Sequence, residues 1–76
     1  MPNFKPSARI NNRNFTATLE LFSTYRELKR NIVRLLQSSF DNEVSVSRSR
    51  RGEWGEWAET WILSNGKPKR IKQGWM

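Results

Sequence analysis

Trp57 and Trp61 stand four residues apart in a stretch that also supplies Arg70 and Lys72, and these residue types together suit one kind of chemistry. Indole faces stack on nucleobases for about 1–3 kcal/mol each, while guanidinium and ammonium groups hold the phosphates. Catalysis is the class to weigh against this. The chain has no histidine and no cysteine, so the commonest general base and the commonest soft metal ligands are missing. Glu53, Glu56 and Glu59 are the carboxylates that a divalent cation would need. Glu56 and Glu59 point to opposite faces of one strand, however, and each is expected opposite a cation, Arg48 and Lys72 respectively. Ion pairing explains both more simply. The chain is therefore expected to be no enzyme, with no metal site and no cofactor.

The element that must position the tryptophans is the stretch Trp57 to Trp75, which reads as a β-hairpin. Asn65-Gly66 is the strongest short hairpin signal, because both residues tolerate the positive φ of a type I′ turn. With those two as the loop, Trp61 falls opposite Arg70, Thr60 opposite Ile71, Glu59 opposite Lys72 and Ala58 opposite Gln73. Ala58, Thr60, Ile62, Ile71 and Trp75 then form a core face. Trp57, Glu59, Trp61, Arg70 and Lys72 form the other.

The preceding strand is Glu43 to Arg50, joined to the hairpin by a three-residue loop, Arg51-Gly52-Glu53. This sets Arg50 against Trp54, Val46 against Ala58 and Val44 against Thr60, so the apolar sides coincide. Earlier in the chain, Phe15 to Leu21 alternates cleanly and predicts a half-buried strand. Thr24 to Phe40 predicts one helix. Thr24 and Glu27 open it as a capping box, and Tyr25, Leu28, Ile32, Leu35 and Leu36 line one stripe. Arg26, Arg30 and Arg34 make a separate row along the same helix. Such a row is most commonly a solvated basic face, although it can also touch phosphates.

These elements give a two-layer α+β domain spanning residues 15–76, with one helix packed on a four-stranded mixed sheet. The expected order is strand, helix, strand, strand, strand, the last three forming a meander. Phe15, Leu19, Leu21, Val44, Val46, Ile62 and Ile71 should pack against Leu28, Ile32 and Leu36, with Trp54 and Trp75 closing the ends. Residues 1–14 read as a flexible basic arm.

Charge points the same way as the aromatic pattern. Fourteen Lys and Arg against seven Asp and Glu leave a net charge of +7 in 76 residues. The pI is near 10.9, the electrostatic footprint of a nucleic-acid binder. All seven acids lie between Glu20 and Glu59, so both ends are purely cationic. The expected interface is Trp57, Trp61, Arg70 and Lys72 on the open sheet face, flanked by Arg48, Arg50 and Arg51 in one turn and by Lys67 and Lys69 in the other. Arg26, Arg30 and Arg34 are held as additional contacts.

The expected function is thus a non-catalytic binder of low sequence specificity, with RNA or single-stranded DNA favoured over duplex. The alternative is an inhibitor or regulator that uses the same face for a host protein or for a second copy of itself. In size and charge the chain resembles small accessory proteins of phages and mobile elements, a resemblance of type that no particular residues carry. With no run of about 20 apolar residues, membrane spanning is not expected, and a cytoplasmic location (a host's, if phage-encoded) is.

Overall fold

The computed structural model describes residues 5–49 and 56–75. Within them the chain runs β1 (Ser7–Asn11), β2 (Ala17–Leu21), α1 (Tyr25–Arg30), α2 (Ile32–Ser38), β3 (Glu43–Arg48), β4 (Trp57–Ser64) and β5 (Lys67–Trp75). The five strands form one sheet in the order β2-β1-β3-β4-β5. Every neighbouring pair is antiparallel. This corrects the expected single helix on a four-stranded mixed sheet. The additional strand is β1, drawn from residues assigned to a basic arm. Ala8 and Ile10 are its buried side, and they alternate with Ser7, Arg9 and Asn11. Two apolar residues between Pro6 and an asparagine-rich turn are too short a pattern to stand out, yet they make this strand the link between β2 and β3.

The β1–β2 hairpin turns through Arg13, Asn14 and Phe15. Asn12 donates its N–H to the Thr16 carbonyl at 2.9 Å, and Phe15 N–H reaches back to the Asn12 carbonyl at 3.3 Å. Phe15 sits at φ 64°. A three-residue hairpin loop usually gives that left-handed position to glycine, and a side chain with a β-carbon costs about 1–2 kcal/mol there.

The apolar stripe of the expected helix is correct, and Leu28, Ile32, Leu35 and Leu36 are buried. The helix itself is broken at Asn31. Its side-chain amide donates to the Glu27 carbonyl at 2.8 Å, taking the acceptor that its own N–H would use in an α-helix. That N–H turns to the Leu28 carbonyl at 3.0 Å instead. Thr24 caps α1 as expected, its hydroxyl accepting from Glu27 N–H at 3.1 Å. Asn42, at φ 53°, closes α2 by donating its side-chain amide to the Leu36 carbonyl at 2.9 Å.

The core lies between the helices and one sheet face: Ala8, Ile10, Phe22, Leu28, Ile32, Leu35, Leu36, Val44 and Val46, with Tyr25, Val33, Trp61 and Leu63 packed against it. Val44, Val46, Leu28, Ile32 and Leu36 were expected there. Phe15, Leu19, Leu21 and Ile71 were too, and all are exposed.

The Asn65-Gly66 turn forms as read, with φ of 52° and 78°. Trp61 faces Arg70, also as read, but Ile71 then bulges out of the ladder, so Thr60 meets Lys72 and Glu59 meets Gln73. The larger correction is between β3 and β4. Val44 faces Trp61, Val46 faces Glu59 and Arg48 faces Trp57, one residue from the expected pairing. A one-residue slip exchanges the two faces of a strand. Trp57, Glu59 and Trp61 therefore lie on the helix side, and Ala58, Thr60 and Ile62 on the open side. Burying indoles removes far more apolar area from water than burying Ala58 and Thr60 would. The expected loop Arg51-Gly52-Glu53, and Trp54, lie outside the described residues.

Candidate functional site

Turning the tryptophans inward carries Glu59 with them, and its side chain is fully buried. Donors converge on it from three elements. The Tyr25 hydroxyl donates to Oε1 at 2.6 Å from α1. Trp61 Nε1 donates to Oε1 and Trp57 Nε1 to Oε2, both at 3.0 Å along β4. Arg70 Nη1 reaches Oε2 at 3.3 Å from β5. Arg48 Nε stands 3.6 Å from Oε2, an ionic contact too long for a hydrogen bond. The Arg48 guanidinium lies 3.9 Å from the centre of the Tyr25 ring, and that of Arg70 is 5.9 Å from the centre of Trp61. Trp75 meets Trp57 edge-on at 5.1 Å.

This knot holds the helix layer to the sheet. Burial alone would push the Glu59 carboxyl up, but the bonds from Tyr25, Trp61 and Trp57 and the charge of Arg48 outweigh it and hold the group below its ordinary value. Tyr25 moves the opposite way, to about 12, through burial, its bond to Glu59 and repulsion by that carboxylate. Tyr25 stability is therefore fully present below its unfolded pKa near 10 and is lost as pH rises from about 10 toward 12. Tyr25→Phe should lose about 1.5–3 kcal/mol at neutral pH, the worth of a hydrogen bond to a charged group. The difference from wild type should narrow above pH 10. Urea unfolding of both proteins at pH 8 and pH 11 checks this, and a gap that is equal at both values refutes it.

The expected interface is thereby divided. Trp57 and Trp61 are on the covered face and cannot serve as an open stacking platform. Arg48 and Arg70 are committed to Glu59. The expected partners of Glu59 and Arg48, namely Lys72 and Glu56, are replaced accordingly. Arg34 is tied to Glu20 at 3.0 Å. Arg26 and Arg30 are exposed on α1, on the side of the molecule away from the open sheet face. Arg50 and Arg51 lie outside the described residues. Lys67, Lys69 and Lys72 are exposed and lie on the open face opposite Ser64, Ile62 and Thr60. Among the described residues, no carboxylate forms an ion pair with any of these three lysines.

Registers across the open face bring a polar row into line. Leu19 pairs with Arg9, Arg9 with Ser45, Ser45 with Thr60, and Thr60 with Lys72. With strands about 4.8 Å apart, cations at Arg9 and Lys72 bracket two hydroxyls over about 14 Å of backbone. A shallow hollow over this row is lined by Ser7, Arg9, Leu19, Ser45, Ser47, Glu56, Ala58 and Thr60. Arg9 was missed because its strand was missed. The leucines of β2 form the apolar border of this face, Leu19 being 63% exposed and Leu21 62%.

The fold and face define a small α+β domain, mostly sheet, with one covered and one open cationic surface. No protein-family model, curated protein or solved structure matches the chain. Among the described residues, no helix is long and apolar enough to cross a membrane, and no group of three or more His, Cys, Asp or Glu is arranged to hold a metal ion.

Proposed function

We propose that this protein is a non-catalytic nucleic-acid binder of low sequence specificity that lays a phosphate backbone across the open sheet face. The observation that carries the reading is the cation set Lys67, Lys69 and Lys72, which forms no ion pair among the described residues and is continued across the sheet by Thr60, Ser45 and Arg9. Ammonium groups supply charge, and hydroxyls supply hydrogen bonds to phosphate and sugar oxygens. Contacts to phosphate and sugar carry no sequence information directly, so specificity stays low. With Trp57 and Trp61 turned away, the contacts of this face are to the backbone.

Titrating the protein with a labelled single strand and a labelled duplex between 50 and 200 mM salt tests the reading. Log K should fall linearly with log salt, with a slope of about −0.7 per phosphate neutralised on single strands and about −0.9 on duplex DNA. A binding constant that does not respond to salt rejects it.

The exposed Leu19 and Leu21 favour a second reading, in which the face meets a host protein or a second copy of the chain. Apolar residues beside cations suit an interface with an acidic protein, whereas phosphates gain nothing from leucine. Sedimentation of the free protein and the salt titration together separate the two readings.

A further inference from the structure

The backbone of Phe15 closes the β1–β2 turn, but its side chain takes no part in the core. Its ring is fully exposed, at 101% of the reference area, and its backbone is left-handed at φ 64°. Strained positions of this kind gather where a side chain meets a partner. Here an apolar ring is held in water at the tip of a hairpin whose own bonds fix it. Asn12 Nδ2 contacts Thr16 Oγ1 at 3.2 Å and Thr18 Oγ1 at 3.0 Å, and Asn14 Oδ1 accepts from Thr16 N–H at 3.3 Å.

The surroundings identify the chemistry of the partner. Phe15 and Phe40 line one hollow together with Arg9, Asn12, Thr16, Ala17 and Asp41. Phe40 is 55% exposed, and the Arg13 guanidinium stands 5.6 Å from its ring centre. The acid in the hollow is already engaged: Asp41 accepts from the Ser39 hydroxyl at 2.7 Å, from Asn11 Nδ2 at 2.8 Å and from Glu43 N–H at 3.1 Å. What remains in the hollow is two phenyl rings, Arg9 and amide and hydroxyl groups, with Arg13 beside the Phe40 ring. A flat heteroaromatic ring attached to an anion satisfies all of these at once. Arg9 belongs both to this hollow and to the phosphate row of the open face, so the two surfaces are continuous.

We infer that Phe15 is a base-stacking finger, which takes an unpaired nucleobase against Phe40 and Arg13 while the open face holds the attached backbone. This rests on the nucleic-acid reading above and specifies it. A base can reach the hollow only from a single strand, a loop or an end, so unpaired nucleic acid is the preferred ligand.

The test uses the full chain and a single-stranded oligonucleotide carrying 2-aminopurine, whose emission reports stacking, with affinity measured separately by anisotropy. Phe15→Ala should bind about tenfold or more weakly, the effect of losing one stacked base, with the salt slope unchanged. It should also remove the 2-aminopurine response at saturation. Phe15→Gly removes the ring and the strain together, so it should melt no lower than wild type and show the same binding loss. If wild type binds and both variants match its affinity and emission change, the inference is overturned alone and the proposed function stands. If wild type binds no oligonucleotide at 50 mM salt, the proposed function fails and the inference fails with it.

Discussion

Glu59→Ala should cost about 3 kcal/mol of folding stability, near the lower end of the 3–5 kcal/mol expected when one partner of a buried ion pair is removed. The lower end applies because Arg70 is 40% exposed and Arg48 22%, so water can reach part of what the carboxylate leaves behind. The indole N–H groups of Trp57 and Trp61 and the Tyr25 hydroxyl lose their acceptor at the same moment. A domain of 76 residues holds only about 4–11 kcal/mol in total, so a loss of this size populates the unfolded state visibly. Glu59→Gln retains one acceptor oxygen and should fall between the alanine variant and wild type.

The pH dependence follows from the direction of the shift. The folded carboxyl is held below its ordinary value, so its stabilisation is complete above the unfolded pKa of about 4.3 and is lost as pH falls through the folded value. The gap between wild type and Glu59→Gln should therefore shrink in acid. Urea denaturation at pH 7 and pH 3 reads both effects. An alanine variant within about 0.5 kcal/mol of wild type would show that the five converging groups are held by packing alone.

The same carboxylate explains what was legible in the chain and what was not. Local signals held. Asn65-Gly66 made its turn, Thr24 its cap, and the stripe Leu28, Ile32, Leu35, Leu36 its core face. Facing was lost where it depended on counting residues through the connection between β3 and β4, because one residue of error inverts a strand. The expected pairing judged Val44 and Val46 by apolar match and so set them against Thr60 and Ala58. The sequence did contain a counter-signal. Trp57, Glu59 and Trp61 alternate, so they share a face, and an acid between two indole N–H groups is an acid with two donors ready for burial. β1 was hidden for a different reason: two buried residues, Ala8 and Ile10, carry no periodicity to speak of, and their strand is recognisable only once β2 and β3 stand on either side of it. With β1 hidden, Arg9 and the hairpin tip at Phe15 were invisible as a site.

Replacing Lys67, Lys69 and Lys72 together by glutamine should weaken nucleic-acid binding about a hundredfold near 0.1 M salt. Each phosphate contact contributes about 0.7 to the slope of log K against log salt on a single strand, so three contacts contribute about 2. One decade below 1 M salt, that slope amounts to roughly two decades in K. The lysines form no ion pair among the described residues and lie exposed along β5, so the variant should fold as wild type does. Arg26 and Arg30 supply the control. They are equally exposed but stand on the helix side, where one strand of nucleic acid on the open face does not reach them. Arg26→Gln with Arg30→Gln should change the net charge by two while leaving the slope nearly intact. If the slope instead falls in proportion to the charge removed from either side, the protein attracts polyanions through its overall field, and the open sheet face has no special part in binding.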